Sequence, residues 1–334
     1  MNNNLFTYAT SELSQDAFIC WLLSFALQDC QKDLALSKCA KELIKFFIPE
    51  LKDKEVFLTC PPQKQYKSID VLLTVNNKYK VIIEDKTFSS EHDNQLLRYK
   101  NIVENDFTGF EIIGIYYKTG FQSDLSNVYD ANYKICDRKT ILEIMGHHIN
   151  NTTNSIFIDY YEYIKAFEDN VNLYRTLPVS KWDWYQINGF YDYCQKELTD
   201  TGMSFTYGYV ANPNGGFDGM WIYNGTYKTI NDLVCELYLQ CEFVDNKLNI
   251  CYKTSTPEGK ISGTIRELLV WKQVNNEWYD VAKKHGFIKP KRYGSGRTVT
   301  LGIYACSIVT YQDAIKTIRS AIQSFHKLVK ELDD

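Results

Sequence analysis

The sequence predicts an α/β fold in the N-terminal half of the chain and an α+β fold in the C-terminal half. A strong amphipathic helix pattern occupies residues 11–28. The runs 71–75 and 81–83 are apolar on both faces, as in strands that other elements cover on both sides. A helix pattern at 91–105 and a further strand pattern at 111–118 follow them. Helices therefore flank a strand-rich core.

The elements of the N-terminal half follow from local patterns, in the order α-β-β-β-α-β. Ser11 fits the N-cap position of the first helix, and Glu12 lies in its first turn. A second helix covers 34–48 and ends at Pro49, and residues 56–60 form a short strand closed by two prolines. A β-hairpin comes next, because a polar Asn-Asn-Lys turn separates the two apolar runs. Further helices are predicted at 91–105, 138–147 and 155–174, and a further strand at 111–118.

Pro178 and its polar neighbours mark the predicted domain boundary, which gives domains at 1–177 and 178–334. Beyond the boundary, helix patterns and strand patterns are mixed, as in an α+β domain. The predicted helices lie at 183–199, 264–285 and 311–332. The predicted strands lie at 204–210, 217–223, 235–244, 247–254 and 298–308.

Composition excludes several protein classes. The net charge of −4 over 334 residues excludes a polycation, so any nucleic-acid contact must come from a local basic patch. The ten cysteines form no Cys-x-x-Cys pair and no zinc-type cluster, and most have apolar neighbours, which indicates reduced core residues. The N-terminus lacks a signal-peptide pattern and no apolar run is long enough to span a bilayer. A cytoplasmic location is expected, with no membrane partner.

Three charges interrupt the two apolar strands of the hairpin. Asp70 lies in the first strand, and Glu84 and Lys86 lie near the end of the second. A charge in a buried strand is costly unless it is paired or holds a metal. Two carboxylates bind a hard cation such as Mg²⁺, and a lysine stabilises developing phosphate charge, so the pattern predicts a metal-dependent phosphodiesterase. The competing interpretation, a hairpin whose polar residues face water, fits the apolar character of both faces less well.

The hairpin register decides whether the two acids share a face of the sheet. A three-residue loop that pairs Val75 with Tyr79 places Asp70 opposite Glu84. A two-residue loop would instead pair Asp70 with Ile83 and point the acids apart, unless a bulge restores them. The metal-site hypothesis therefore predicts the three-residue loop. The strand period of two also places Lys86 on the same face as Glu84.

Two features outside the hairpin strengthen the metal-site hypothesis when they are combined with its charged residues. Glu12 begins the first helix, where a carboxylate is common because it interacts favourably with the helix dipole. Gln95 and Tyr99 lie one turn apart and share a helix face, which taken alone is typical of a solvated face with a half-buried tyrosine. In combination with the hairpin, these residues form a recognisable pattern. It consists of Glu12, Asp70, Glu84-x-Lys86 and Gln95-x-x-x-Tyr99.

This combination resembles the PD-(D/E)XK nuclease superfamily, and most closely a bacterial branch with a helical Glu and a long C-terminal extension. The resemblance covers about residues 8–120, and Ile69 stands where the name-giving proline would be. It implies a restriction-endonuclease-like fold, a mixed central sheet flanked by helices. It also implies DNA cleavage with Mg²⁺ or Mn²⁺. Gln95 and Tyr99 match the helix motif of exonuclease-like members, where the motif supports the site and the DNA end.

The resemblance also assigns roles to the other matching residues. It implies that Asp70 and Glu84 are metal ligands and that the carbonyl of Ile83, or of a neighbour, is a third ligand. It implies that Lys86 is the catalytic lysine and Glu12 an auxiliary acid. The chain from 178 onwards resembles nothing whose chemistry can be carried over.

A basic segment in the C-terminal half is the best candidate for contact with nucleic-acid phosphates. Residues 283–297 contain six basic side chains and no acid, with Phe287 and Tyr293 among them. A flexible solvated loop is an equally good interpretation. The predicted nucleic-acid-binding residues are Lys289, Lys291, Arg292 and Arg297.

Three functional hypotheses follow. The first is a Mg²⁺-dependent nuclease that acts on DNA in repair or in defence against foreign DNA. The second is a catalytically silent nuclease fold that binds DNA or a protein partner. The third is an RNA-directed or regulatory hydrolase. The sequence leaves open exo- versus endo-cleavage, strand preference and oligomeric state, including a homo-oligomer.

Overall fold

The computed structural model describes residues 3–28, 33–211, 215–230, 233–255, 270–290 and 298–332. The chain divides into two compact units, Met1–Asp169 and Asn170–Asp334. This division lies N-terminal to Pro178, the position of the predicted domain boundary.

A five-stranded mixed sheet is the centre of the first unit. Its strands are β1 (Gln63–Tyr66), β2 (Ile69–Val75), β3 (Tyr79–Lys86), β4 (Glu111–Lys118) and β5 (Tyr133–Asp137). Their spatial order is their chain order: β1, β2 and β3 are antiparallel, and β4 and β5 run parallel to β3. The helices are α1 (Glu12–Ser24), α2 (Leu34–Phe47), α3 (Gln95–Asp106), α4 (Ser126–Asp130), α5 (Arg138–Gly146) and α6 (Ser155–Asn172). The predicted mixed α/β fold is confirmed.

Local chemistry explains where the first helices begin. Ser11 caps α1 as predicted, and its side chain accepts a hydrogen bond from the Ser14 amide at 3.3 Å. Helix α3 begins later than predicted, at Gln95 rather than 91. Asp93 and Asn94 have φ of +53° and +51°, a left-handed turn that cannot continue a helix backwards.

The hairpin has the predicted register. Val75 pairs with Tyr79 across a three-residue loop, and the pairing continues without a shift to Val71 and Ile83. Two asparagines at the start of the loop have φ of +51° and +54°, a conformation that asparagine tolerates better than most residues. The next position along this register brings Asp70 opposite Glu84.

Both faces of the central strands are buried, as the apolar runs predict. One face packs against α1, α2, α5 and α6 and includes Val71, Val81 and Ile83. The other face packs against α3 and includes Leu72 and Ile82. Hydrophobic burial on both sides therefore fixes β2 and β3 in the interior, where every charged side chain needs a partner.

Several predicted elements differ from the structure. The strand predicted at 56–60 is wrong, because only Leu58 forms bridges, one with Leu27 and one with Val75. Three strands were not predicted, two of them in the first unit and the third a two-residue strand, Phe287–Ile288, in the second. Strand β1 is a polar, largely exposed edge strand with no apolar alternation, and β5 is short and carries charged residues.

A six-stranded antiparallel sheet forms the core of the second unit. Its strands are β6 (Ser204–Val210), β7 (Phe217–Ile230), β8 (Leu233–Val244), β9 (Lys247–Ser255), β10 (Phe287–Ile288) and β11 (Thr298–Tyr304). The helices are α7 (Trp184–Glu197), α8 (Val270–Lys284) and α9 (Tyr311–Glu331). The predicted α+β class is confirmed. Strand β7 is longer than predicted, and β11 ends earlier. The first part of the helix predicted at 264–285 lies outside the described residues.

The described part of the chain contains neither a membrane-spanning helix nor a disulfide bond. No helix there is both long and apolar enough to cross a membrane. The nine cysteines in the same part are all free of disulfide bonds, and six of them are buried. The prediction of reduced core cysteines agrees with this arrangement.

Gly120 follows the end of β4 and packs tightly against the backbone that follows β3. A Cβ atom on Gly120 would lie 2.0 Å from the backbone carbonyl oxygen of Thr87. Because backbone must move to relieve this overlap, Gly120→Ala is expected to destabilise the protein by about 1–3 kcal/mol. The matched control is Gly146→Ala, whose new Cβ would meet only the Tyr161 hydroxyl at 3.8 Å. Thermal unfolding followed by circular dichroism checks both. Equal melting temperatures for the two variants would contradict the steric argument.

Candidate active site

The Asp70–Glu84 pair lies at the end of the β2–β3 hairpin. The two carboxyl groups are neighbours, and the charge of Asp70 favours the protonated form of Glu84. Glu84 is 0% exposed, and the Lys86 ammonium donates to its Oε1 atom. Its Oε2 atom has no donor among the residues that the structure describes. A buried carboxyl oxygen without a partner is unusual and calls for an explanation.

Burial dominates the electrostatics of this pair. Burial raises the pKa of Glu84 to about 8, the nearby Asp70 charge adds to this increase, and Lys86 opposes it. Burial lowers the pKa of Lys86, but the carboxylates of Glu84, Asp70 and Glu12 outweigh it, so that pKa is raised overall. Lys86 is therefore a charged ammonium at neutral pH, held against a carboxyl group that tends to keep its proton.

Glu12 reaches the chain directly after Lys86. It is the first residue of α1, and its Oε1 atom accepts hydrogen bonds from the Thr87 amide at 2.8 Å and the Ser89 hydroxyl at 2.6 Å. The structure thus joins the start of α1 to the end of β3, over 75 residues of sequence. The helix-dipole interpretation also holds, because Glu12 lies in the first turn.

Gln95 and Tyr99 lie on the same face of the sheet as Glu84. The Gln95 amide donates to the Tyr99 hydroxyl at 2.9 Å, and both side chains are buried. Tyr99 packs in the apolar cluster that includes Ile82. Burial raises the pKa of Tyr133, and both Glu84 and Tyr99 contribute to this increase, so the two residues are neighbours of one tyrosine ring. The catalytic role of the pair stays a prediction.

The opposite face of β3 carries an acid that the sequence analysis did not single out as a site residue. Asp85 is 1% exposed, and the Gln15 amide donates to its Oδ1 atom. The backbone amide of Asp85 donates to Asp70 Oδ2 at 2.9 Å. Gln15 also accepts hydrogen bonds from the hydroxyls of Thr119 and Tyr160, each at 3.1 Å. Asp85 is thus held by a network that joins β3 to α1, α6 and the end of β4.

Asp16 is a second acid that sequence reasoning missed. It lies one helical turn after Glu12, is 1% exposed and lies next to the Asp85 carboxyl group. The Gln65 amide bridges Asp16 at 3.4 Å and Asp70 at 3.1 Å. Burial raises the pKa of Asp16 to about 6, and the nearby Asp70 charge adds to it. The i, i+4 spacing of Glu12 and Asp16 was the available signal.

Lys118 is a second buried lysine beside the site. It is the last residue of β4 and pairs with Lys86 across the parallel strands. Its ammonium donates to the carbonyl oxygens of Thr87 at 3.0 Å and Ser89 at 2.6 Å. Burial lowers the pKa of Lys118 to about 8. A charge at the end of an apolar strand, the same signal that identified Lys86, could have found it.

Comparison with known proteins identifies the family of this chain. A family model described as the PD-(D/E)XK nuclease superfamily matches residues 4–172, just over half of the 334 residues. The chain belongs to the PD-(D/E)XK nuclease superfamily. No curated protein and no solved structure gives a significant match. The predicted resemblance is confirmed, and the mixed sheet of the first unit is the restriction-endonuclease-like fold of this superfamily.

The donors at this PD-(D/E)XK site suit a hard cation held by few protein ligands. Within the described ranges, no three His, Cys, Asp or Glu side chains surround one metal position. Mg²⁺ commonly binds through one or two carboxylates and keeps several waters, so a carboxylate pair is sufficient. The unpartnered Oε2 atom of Glu84, next to Asp70, is the observation that fits such an ion.

The basic segment of this PD-(D/E)XK protein belongs to the second unit and is only partly described. The Lys289 ammonium lies 5.5 Å from the centre of the Tyr279 ring, and the Lys289 side chain is exposed. Lys284 and His285 both pair with Glu331. The other predicted nucleic-acid-binding residues lie outside the described residues. They are Lys291, Arg292 and Arg297.

Proposed function

We propose that this protein is a Mg²⁺- or Mn²⁺-dependent nuclease that hydrolyses DNA phosphodiester bonds, in DNA repair or in defence against foreign DNA. The observation that carries the proposal is the Asp70–Glu84 pair, in which Glu84 is buried and Asp70 half-buried, with an unpartnered Glu84 oxygen and the Lys86 ammonium beside it. The membership of the chain in a nuclease superfamily supports the proposal.

Asp70 and Glu84 are the proposed side-chain ligands of the metal ion. Strand geometry favours Asp85 over Ile83 as the source of a third, carbonyl ligand. Ile83 lies within the β2–β3 ladder opposite Val71, where its carbonyl takes part in strand pairing. The Asp85 amide points towards Asp70, and the carbonyl of a strand residue points to the same side as its amide. The bound ion supplies a Lewis acid and lowers the pKa of its water.

The other predicted site residues are proposed to supply positive charge, to hold the end of β3 in place and to support the bound DNA. Lys86 holds a positive charge beside the pair, where it stabilises negative charge that develops on the phosphate. Glu12 fixes the backbone directly after Lys86 and so holds the end of β3 in place. Gln95 and Tyr99, on the face of Glu84, are proposed to support the site and the DNA end.

The test is cleavage by the purified full-length chain. Linear and circular duplex DNA, single-stranded DNA and RNA of matched sequence are incubated with Mg²⁺, with Mn²⁺ or with excess chelator. We expect DNA cleavage with metal and none with chelator, and cleavage of circles would identify an endonuclease. Cleavage in excess chelator would contradict the metal mechanism. Binding of DNA without cleavage under any metal would favour the silent module, and preference for RNA would favour the third hypothesis.

The basic segment gives a prediction about DNA affinity. Replacing Lys289, Lys291 and Arg292 together with Gln is expected to weaken DNA binding. A variant that contacts fewer phosphates releases fewer counterions from the DNA when it binds. The slope of log K against log salt should flatten by about 0.9 for each contact. Fluorescence anisotropy over a range of salt concentrations measures this slope.

The control for that experiment removes as many positive charges elsewhere in the second unit. Lys247, Lys316 and Lys327 are exposed and lie outside the basic segment. Their replacement with Gln should leave the slope unchanged. If both triple variants bind DNA like the wild type, the segment 283–297 is a solvated loop.

We also propose a cytoplasmic location. The cysteines of the described part are unpaired, which is typical of a reducing compartment. Fractionation of cells that express the chain with a small C-terminal tag tests this location.

A further inference from the structure

We propose that the sheet of the second unit carries a binding site for an organic cation, a quaternary or methylated ammonium group, on the face opposite to α7 and α9. The site is a cleft of about 280 Å³. This volume lies just below that of typical small-molecule sites, which suits a cationic head group or the end of one side chain. The residues that line the cleft are Thr206, Trp221, Tyr223, Glu236, Tyr238 and Ser255.

Strand alternation separates the cleft from the face that the two helices cover. Helix α7 packs on Tyr207 and helix α9 packs on Tyr252, through ring contacts of 6.1 Å and 5.9 Å between centres. Trp221 pairs with the residue before Tyr207, and Tyr238 pairs with the residue after Tyr252. Because successive strand residues point to opposite faces, both aromatic side chains of the cleft point away from α7 and α9.

A β-bulge in β7 lies at the cleft. Between Ile222 and Thr226, four steps along β7 face only two steps along β8. Gly225 lies in the extra segment and has φ of +73°, a conformation that glycine adopts without strain. Bulges re-aim side chains and increase the local twist of a strand. The bulged segment begins with Tyr223, one of the residues that line the cleft.

The three aromatic rings of the cleft have faces available to a ligand. Trp221 and Tyr223 are half-buried, and Tyr238 is 6% exposed. Within the described residues, no other ring packs on these three and no Lys or Arg side chain lies over them. The core aromatic residues of the same unit differ, as in the contact of Trp182 with Phe190 at 4.9 Å between ring centres. Several available aromatic faces around one space are typical of sites that recognise quaternary ammonium groups.

Glu236 supplies a negative charge to the cleft. Its side chain is half-buried and forms no ion pair with any residue that the structure describes. Burial raises the pKa of Tyr238, and the Glu236 charge adds to this increase, so the carboxylate lies near that ring. A carboxylate beside the negative faces of aromatic rings attracts a positive group.

The same charge disfavours a nucleic acid as the ligand. Proteins that stack bases on aromatic rings also need positive charges for the phosphates. Lys253 pairs with Tyr238 across the strands, but its ammonium donates to Glu242 and it is 8% exposed. One lysine against two acids leaves this part of the face with a charge of −1. Charge complementarity therefore favours a cation.

The test measures binding of two cationic probes to the full-length protein by calorimetry. The probes are choline and a short peptide that contains one trimethyllysine. Binding of choline would identify a free small molecule as the ligand, and binding of the peptide alone would identify a side chain of a protein. The uncharged isostere of choline, 3,3-dimethylbutanol, should bind about tenfold more weakly or less, and so should the peptide with unmodified lysine.

Variants locate the binding. Trp221→Ala should weaken binding of the probe about tenfold or more, and Glu236→Gln should weaken it several-fold. The controls are Tyr209→Ala and Asp245→Asn, which should bind like wild type. Tyr209 is 64% exposed and lies on the opposite face of the same sheet, two residues after Tyr207, and Asp245 is an exposed acid in the turn between β8 and β9.

The comparison of probes in wild type stays decisive if a variant folds poorly. Equal affinity for choline and its uncharged isostere would overturn the inference, and so would binding of neither cationic probe. If neither probe binds and Trp221→Ala weakens binding of single-stranded DNA, the cleft stacks bases instead. Probe binding that is unchanged in Trp221→Ala and Glu236→Gln would also overturn the assignment. DNA cleavage tests the proposed nuclease separately.

Discussion

Glu84→Gln is expected to lower the rate of metal-dependent DNA cleavage by about a thousandfold or more, which corresponds to about 4 kcal/mol of transition-state stabilisation. The amide removes the charge that holds the metal but keeps the shape of the side chain. The fold should survive, because burial already favours the neutral form of Glu84 in the metal-free protein. Asp70→Asn should have a comparable effect. Initial rates on labelled DNA in Mg²⁺ measure the loss.

The matched control is an acid of the same sheet that lies away from the pair. Glu111, the first residue of β4, is exposed and pairs with Lys78 at 2.8 Å. Glu111→Gln should cleave DNA at the wild-type rate. Circular dichroism spectra of all variants should agree, which separates a chemical effect from a folding defect. Cleavage by Glu84→Gln at the wild-type rate would refute the assignment of Glu84 as a metal ligand.

The metal-free protein is expected to lose stability as pH rises from about 5 to about 8. The pKa of Glu84 is raised from 4.5 to about 8, so the folded state binds a proton that the unfolded state releases. The contribution is fully present below pH 4.5 and is lost as pH rises through 8. The raised pKa of Asp16, about 6, acts with the same sign. The expected loss in the free energy of unfolding is of the order of several kcal/mol.

Urea unfolding in excess chelator at several pH values measures this slope. Glu84→Gln removes the titrating group, so its free energy of unfolding should depend less on pH than that of wild type. Saturating Mn²⁺ at pH 8 should restore stability, because the ion binds the folded state. The lowered pKa of Lys118 contributes in the opposite direction, but mainly above pH 8. Identical slopes for wild type and Glu84→Gln would show that Glu84 does not titrate in this range.

The central hairpin could be predicted from the sequence because several signals agree there. Apolar residues on both faces, a polar turn and three isolated charges all indicated two covered strands, and β2 and β3 match this prediction. The edge strands could not be predicted. The polar residues of β1 give no alternation, and its pairing with β2 comes from a turn at Lys67 and Ser68 with positive φ. Tertiary context decides such strands.

The candidate site was only partly accessible to sequence reasoning, for a similar reason. Glu84 and Lys86 are two residues apart, so the strand period alone places them together. The contacts of Asp16 with Asp85, and of Lys118 with the backbone after β3, depend on how α1 and β4 pack against the hairpin. No local period connects these positions. The available signals were the helical spacing from Glu12 for Asp16 and a charge at the end of an apolar strand for Lys118, and both apply equally to structural and catalytic residues.

The three-residue loop of the hairpin limits how this chain can change in evolution. Side chains alternate between faces at every residue, so an insertion or deletion of one residue between Val75 and Tyr79 would turn Asp70 away from Glu84. A change of two residues would preserve the pairing. Among natural relatives, the spacing between the two acids should therefore vary in steps of two, except where a bulge compensates an odd change. Odd spacings without a bulge should mark lineages that have lost cleavage and kept only the fold.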